Sequence, residues 1–271
     1  MCYTNINDNK RENVRKDFIR DDFPRKRKGL GKMIYVISDI HGCYRSYLKM
    51  LEKLGVRESD TVYVLGDTID RGRNGIKVLQ DMMMRPNIIP ILGNHEYMAA
   101  HALDSLADAA RAADLMPTPE LKKKLIKWFS DSGASTLLAY RKLSPEEKRE
   151  VLDYLSEFSL YEEVRAGGKD YLLMHAAPKT GGREMSSYSP EELLFNHSLP
   201  EETPFPGKIL VTGHTPTFLF GDQYRGKIVI SENGDHICLD AGAGYGENLA
   251  AVCLNTGWQY YVSTKDDPAL N

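Results

Sequence analysis

Three short segments rich in histidine and aspartate each close an apolar run in the first hundred residues, and they constrain the fold more than any other feature. They are Asp39-Ile-His41-Gly42, Gly66-Asp67-Thr-Ile-Asp70-Arg71-Gly72 and Gly93-Asn94-His95-Glu96. The runs before them, 33–37, 61–65 and 87–92, are β-rich and of strand length. Each motif therefore stands where a strand gives way to a loop, and in open α/β sheets that carboxyl edge is where ligands bind. Two later segments follow the same grammar: Tyr171-Leu-Leu-Met-His175 and Lys208-Ile-Leu-Val-Thr-Gly213-His214-Thr215-Pro216. Five strand ends then aim aspartate, asparagine and histidine at one place, as a metal centre requires.

The rest of the chain suits a globular enzyme. At 271 residues it can fill one fairly large core. A net charge of −3 is too near neutral to argue for nucleic acid or an anionic membrane as partner. No apolar stretch is long enough to span a membrane, the first residues lack a signal-peptide apolar region, and four scattered cysteines make neither a disulfide framework nor a zinc ribbon. The chain reads as cytoplasmic.

Residues 1–32 differ in kind, with ten Lys/Arg against five acids and little apolar periodicity. The plain reading is a disordered, solvated basic arm or an expression remnant; the sharper one, an arm touching nucleic acid or an acidic partner, predicts salt-dependent binding lost on its deletion. From Met33 strands and helices alternate. Tyr44, Tyr47, Leu48 and Leu51 recur at helical spacing before Gly55, and Ile76, Leu79 and Met83 do the same before Pro86, so Met82-Met83-Met84 reads as core packing. Strand–helix–strand–helix–strand in so few residues implies parallel pairing. Residues 97–160 read as a helical insertion, with starts at Thr118-Pro119 and Ser144-Pro145-Glu-Glu147. Short strands near 171–174, 208–212, 227–230, 236–239, 250–254 and 258–262 suggest an antiparallel second sheet. The fold class is an α/β two-sheet sandwich flanked by helices, one catalytic domain over 33–271.

Carboxylate, imidazole and amide oxygen together suit manganese, iron or zinc rather than calcium. Taken alone, each motif is no more than a turn former or helix cap; their conjunction resembles the phosphoprotein phosphatase branch of the metallophosphoesterases, the family of Ser/Thr protein phosphatases and their bacterial and phage relatives. Its signature, Asp-x-His-Gly, Gly-Asp-x-x-Asp-Arg-Gly, Gly-Asn-His-Glu, a later His and Gly-His-Thr-Pro, stands between Asp39 and Pro216. The stretch from Trp128 to Thr136 looks like a segment common in bacterial members, and Leu239 to Glu247 resembles the family's final active-site loop.

The resemblance implies that Asp39 and His41 hold a first metal, that Asn94, His175 and His214 hold a second, and that Asp67 bridges them. It implies His95 as the acid that protonates the leaving oxygen, Asp70 as the group that orients it, and Arg71 as a bidentate fork for phosphate, which lysine could not match. Asn94, Tyr245 and His197 would complete the substrate site. Glu96 reads as a carboxylate favoured by a helix dipole, and His101 and His236 as surface or packing histidines. Where many relatives carry a phosphate-binding arginine after a tryptophan, this chain reads Phe195-Asn196-His197. Asn196 or His197 could stand near the missing arginine's place, or Arg183 or Arg225 could supply the charge.

The implied activity is hydrolysis of phosphoserine, phosphothreonine and, by extension, phosphotyrosine in proteins, with small phosphoesters as accessory substrates. It would run with two divalent cations, manganese first and iron or zinc as alternatives, by direct attack of metal-bound hydroxide. No Cys-x5-Arg loop suggests a covalent phosphoenzyme, and Cys43 reads as structural. The alternative is a symmetrical bis(5'-nucleosyl)-tetraphosphate hydrolase, which shares fold and metals; similar hydrolases tend to read Gly-Asn-His-Asp and to lack the full Asp-Arg-Gly and His-Thr-Pro found here. A degenerate scaffold is disfavoured because every expected ligand and His95 are present.

Overall fold

In the computed structural model, residues 31–111, 118–203 and 205–270 are described, and nearly all of the basic arm lies outside them. The first sheet has the order β10-β9-β1-β2-β3, with β1 Ile34–Ile37, β2 Thr61–Val64, β3 Ile88–Pro90, β9 Asn248–Cys253 and β10 Gln259–Ser263. The second has the order β4-β5-β6-β8-β7, with β4 Tyr161–Ala166, β5 Lys169–Met174, β6 Ile209–Thr212, β7 Val229–Ile230 and β8 His236–Cys238.

Strand alternation explains why two sheets pack. In β1, Tyr35 and Ile37 face helices α1 (Tyr44–Leu54) and α2 (Gly75–Met83), meeting Tyr47, Met50 and Val78, while Val36 faces the other sheet. Val36 joins Val252, Leu173, Val211 and Ile237 in an inter-sheet core. Each such side chain, fully removed from water, contributes roughly 1.5–3 kcal/mol. Gly55 ends α1 in the left-handed region at φ 56°, as the sequence led one to expect.

A third core belongs to the helices between β3 and β4: α3 Asn94–Arg111, α4 Pro119–Ser130, α5 Ala134–Tyr140 and α6 Pro145–Ser156. Thr118 and Ser144 cap α4 and α6, the latter with a full capping box. Trp128, Tyr140, Val151 and Leu155 pack on Ile69 and Leu79, which seats these helices beside the loop after β2. Among the described residues no helix is long and apolar enough to cross a membrane.

Three expectations need correction. The second sheet is mixed, since β5–β6 and β6–β8 are parallel. Strands β9 and β10 belong to the first sheet, where β9 lies antiparallel to β1; nearness in sequence did not decide partnership because the β8–β9 loop crosses between the layers. Of the methionine run only Met82 is core, while Met84 is 81% exposed at the end of α2.

His236 is buried, as a packing histidine should be. Its Nδ1 lies 3.2 Å from the Pro200 carbonyl and its Nε2 2.8 Å from Thr212 Oγ1, so the neutral ring donates through Nδ1 and accepts at Nε2. Burial lowers its pKa to about 4, outweighing the pull of Pro200 and Asp235. The folded value is below the unfolded one of roughly 6.5, so the unfolded chain takes the proton first. This stability is present above pH ~6.5 and lost as pH falls toward 4. Roughly 2 kcal/mol should go between pH 7 and 5. Denaturant titrations at both pH values should show a flatter dependence in His236→Gln; parallel behaviour would rule the effect out.

Candidate metal centre

All five sequence segments meet at the carboxyl ends of β1, β2, β3, β5 and β6. The turns there are forced into unusual backbone. Asp39, His41, Asp67, Asp70, Arg71 and His214 all have φ between 46° and 65°, in the left-handed region where a non-glycine residue is strained. Such strain persists only where surrounding structure over-determines it, and here it is confined almost wholly to site residues; Ser132 is the one other non-glycine case among the described residues. Gly213 permits the closest approach, because a methyl group there would collide with Ser38 and Asp39 side chains.

Asp67 is the hub. Its Oδ2 lies 3.6 Å from His41 Nε2 and 3.7 Å from His95 Nε2, while Oδ1 lies 3.4 Å from His175 Nε2. One carboxylate thus turns each oxygen to a different histidine set, and two groups able to hold a cation share it: His41, Asp67 and His95, and Asp67, His175 and His214. Asn94 joins the second, its Oδ1 2.8 Å from His175 Nε2 and 3.0 Å from His214 Nδ1. Asp39 belongs to neither tight group. It is buried beside them, accepting from the His214 N–H at 3.1 Å and from Ser38 Oγ.

The donor set fits divalent cations. His41 Nδ1 and His175 Nδ1 face the carbonyls of Ile69 (3.1 Å) and Leu65 (2.7 Å), which fixes both tautomers and turns both Nε2 lone pairs into the centre. There His175 Nε2 confronts the Asn94 oxygen, acceptor against acceptor, and buried His41 Nε2 and His214 Nε2 have no partner. Burial holds His41, His175 and His214 below the usual imidazole range, His214 at about 3, so all three stay neutral and able to ligate. Asp39 is pushed well up by burial, then by Asp240 and Asp67. Crowded buried carboxylates facing neutral imidazoles call for positive charge between them.

The flank is organised around His95. Its Nδ1 lies 2.7 Å from Asp70 Oδ2, and Trp128 Nε1 donates to that same oxygen at 2.8 Å. The Asp70 N–H donates to Thr136 Oγ1 at 2.9 Å. Burial lowers the His95 pKa, but Asp67, Asp70 and Asp131 together raise it to about 9. Arg71 lies over the Tyr245 ring at 4.3 Å, with Nη1 buried and unpartnered.

His197 is exposed and stacks on His214, centroids 4.8 Å apart and planes 19° apart. Arg183 and Arg225 are turned to other duties, Arg183 paired with Glu192 and Arg225 with Asp222 and Glu247. Asn196 donates to the Glu192 carbonyl. His101 is exposed on α3, against Tyr97. Burial pushes the Cys43 thiol up to about 12, which leaves it inert.

Glu96 does more than meet a helix dipole. Fully buried, it accepts from the N–H groups of Asp67, Thr68, Ile69 and Gly93 and from the Thr68 hydroxyl. Asp240, buried beside Asp39, lies in the Leu239–Glu247 segment without a role assigned to it there, although it closes the apolar run Ile237-Cys238-Leu239 as the other site residues close theirs. Trp128 and Thr136 drew notice only through their segment, without a role.

Two layers of mixed sheet flanked by helices, with histidines and aspartates gathered at the strand ends, define a metallophosphoesterase. The chain belongs to the calcineurin-like phosphoesterase family, whose model matches residues 32–239. It is 32% identical over 100 residues to a symmetrical bis(5'-nucleosyl)-tetraphosphatase of Wigglesworthia glossinidia brevipalpis, covering 35% of this chain and 36% of that one. It is 27% identical over 151 residues to serine/threonine-protein phosphatase 2 of Salmonella typhimurium, covering 54% and 59%. The chain thus spans only a third to three-fifths of those curated relatives. A protein serine/threonine phosphatase structure from Saccharomyces cerevisiae shares the fold at a TM-score of 0.56 and 14% identity, covering 91% of this chain and 81% of that one.

Proposed function

We propose that the chain is a phosphoprotein phosphatase that uses two divalent cations, manganese foremost, to hydrolyse phosphoserine and phosphothreonine monoesters. The observation that carries this reading is the buried His95–Asp70 pair. An alkyl phosphate expels a strongly basic alkoxide, so it needs a proton at the leaving oxygen. An acid with a pKa near 9, braced by Asp70 and Trp128, supplies one. A nucleoside polyphosphate leaves as a weakly basic anion and has far less need of it. The Asp70-Arg71-Gly72, Glu96 and Thr215-Pro216 wording supports the same choice.

Asp39 and His41 would hold one cation, Asn94, His175 and His214 the other, with Asp67 between. When bound, two such cations would make a water more acidic and neutralise phosphoryl oxygens for displacement. The unpartnered Arg71 fork binds two of those oxygens, kept in place by the Tyr245 ring. Asp70 holds the His95 proton on Nδ1, so that Nε2 presents the second proton to the leaving oxygen. His197 lines the entrance beside His214.

The names of relatives favour a second reading, a symmetrical bis(5'-nucleosyl)-tetraphosphatase. The deciding experiment measures turnover with manganese on phosphoserine, phosphothreonine and phosphotyrosine peptides beside a dinucleoside tetraphosphate. Peptides cleaved far better support the phosphatase; the dinucleotide cleaved far better replaces it with the second reading.

A further inference from the structure

The mechanism above makes no use of Asp131, although its carboxylate stands at the proton-donating face of His95. Asp131 Oδ1 lies 3.7 Å from His95 Nε2, the same separation as Asp67 Oδ2 on the inner side. Asp67 is buried with the metal ligands, whereas the Asp131 side chain is 45% exposed. It therefore belongs to the mouth of the site. Among the described residues no Lys or Arg pairs with it.

Its position is fixed rather than incidental. Asp131 ends α4, three residues after Trp128 donates to Asp70. The next residue, Ser132, adopts φ 69° and accepts from the Arg71 N–H at 3.4 Å. The chain is thus tied to the His95 brace before Asp131 and to the phosphate fork after it. Tyr245, resting on Arg71, is near enough to feel the Asp131 charge.

We infer that Asp131 is a specificity-determining residue that sorts substrates by the charge of their leaving group. The inference rests on the assignment of His95 as proton donor. An oxygen accepting from Nε2 sits about 2.8 Å from it, hence no farther than about 6.5 Å from Asp131 Oδ1. A seryl or threonyl oxygen carries an uncharged stem into that space. A nucleoside polyphosphate brings an anionic phosphate there, next to a carboxylate that faces no Lys or Arg among the described residues and whose one cationic neighbour, the His95 imidazolium, gives up its charge as it delivers the proton. At partial exposure one such like-charge contact costs about a tenfold factor in rate, and salt screens it.

The test compares kcat/KM for a phosphoserine peptide and for bis(5'-adenosyl) tetraphosphate in wild type, Asp131→Asn and Asp131→Lys, at low salt and at high salt. The dinucleotide-to-peptide ratio should rise about tenfold in Asp131→Asn and further in Asp131→Lys, with both gains shrinking as salt is added. A ratio that stays constant or falls in Asp131→Asn overturns the inference. Asparagine is nearly isosteric and well tolerated at a helix end, so that variant decides even if the lysine does not fold. Should wild type already prefer the dinucleotide, the phosphatase reading fails, while the shift in ratio still judges Asp131 on its own.

Discussion

Replacing His95 by alanine should cut turnover of an alkyl phosphate by about 10²–10⁴-fold, the usual worth of a positioned general acid, while the protein still binds two cations per chain. Three features set this expectation. Nε2 stands between the centre and its mouth, 3.7 Å from both Asp67 and Asp131, whereas Nδ1 is spent on Asp70 at 2.7 Å. The imidazole is held protonated, with a pKa near 9, unlike His41 and His214, which stay neutral. And although His95 stands with His41 and Asp67, the ligands proposed for both cations remain without it, Asp39 and His41 for one and Asn94, His175 and His214 for the other. With His95 proposed as the proton donor, the defect should be much smaller for 4-nitrophenyl phosphate, whose leaving group needs little help. Asp67→Asn should behave oppositely, losing metal along with activity, since both groups draw on that carboxylate. Metal content by elemental analysis, read beside kcat on the two esters, separates the cases. Loss of metal from His95→Ala, or equal losses on both esters, would refute the acid assignment.

The parts of this site that sequence reveals are those tied to local chemistry. Apolar runs closing on Asp39, Asp67, Asn94, His175 and His214 identify the strand ends, because an acid or imidazole after a buried strand must fall on the sheet's edge. The parallel order of β1, β2 and β3 follows from the helices between them. Contributions from distant chain are not legible in this way. Trp128 reaches Asp70 across 58 positions, and nothing in its own helix shows that the indole N–H is aimed at a carboxylate. Left-handed backbone at six site residues is equally hidden, since tertiary contacts such as Gly42 N–H to the Thr68 carbonyl impose it against local preference. The exchange of β9 and β10 to the first sheet escapes notice for the same reason: strands next to each other in sequence need not pair.

Glu96 supports the second large expectation. It is a buried carboxylate that forms no ion pair among the described residues, yet four backbone N–H groups and one hydroxyl converge on its two oxygens at 2.7–3.2 Å. Burial and the neighbouring Asp67 push its pKa up to about 7, while the Thr68 hydroxyl, the His95 charge and the Asp67 N–H oppose them. A protonated carboxyl would turn an O–H toward a ring of donors, so the arrangement suits the anion. Those donors belong to 67–69 and to Gly93, which means Glu96 ties the loop after β2 to the loop after β3. Alanine would strand all five in the interior. Leaving a buried donor unsatisfied costs about 1–3 kcal/mol, less per group when neighbours relax together, so a loss of roughly 4 kcal/mol is expected. For a chain of this size that lowers Tm by about 8–16 °C. The loop that loses its anchor also carries Asp67, so metal affinity should fall in the same variant, and added manganese should recover part of the lost Tm. Glutamine, keeping one acceptor oxygen, should lie between alanine and wild type. A Tm for Glu96→Ala within about 2 °C of wild type would show that the two loops hold their shape without this carboxylate, and the anchoring argument would fall with it.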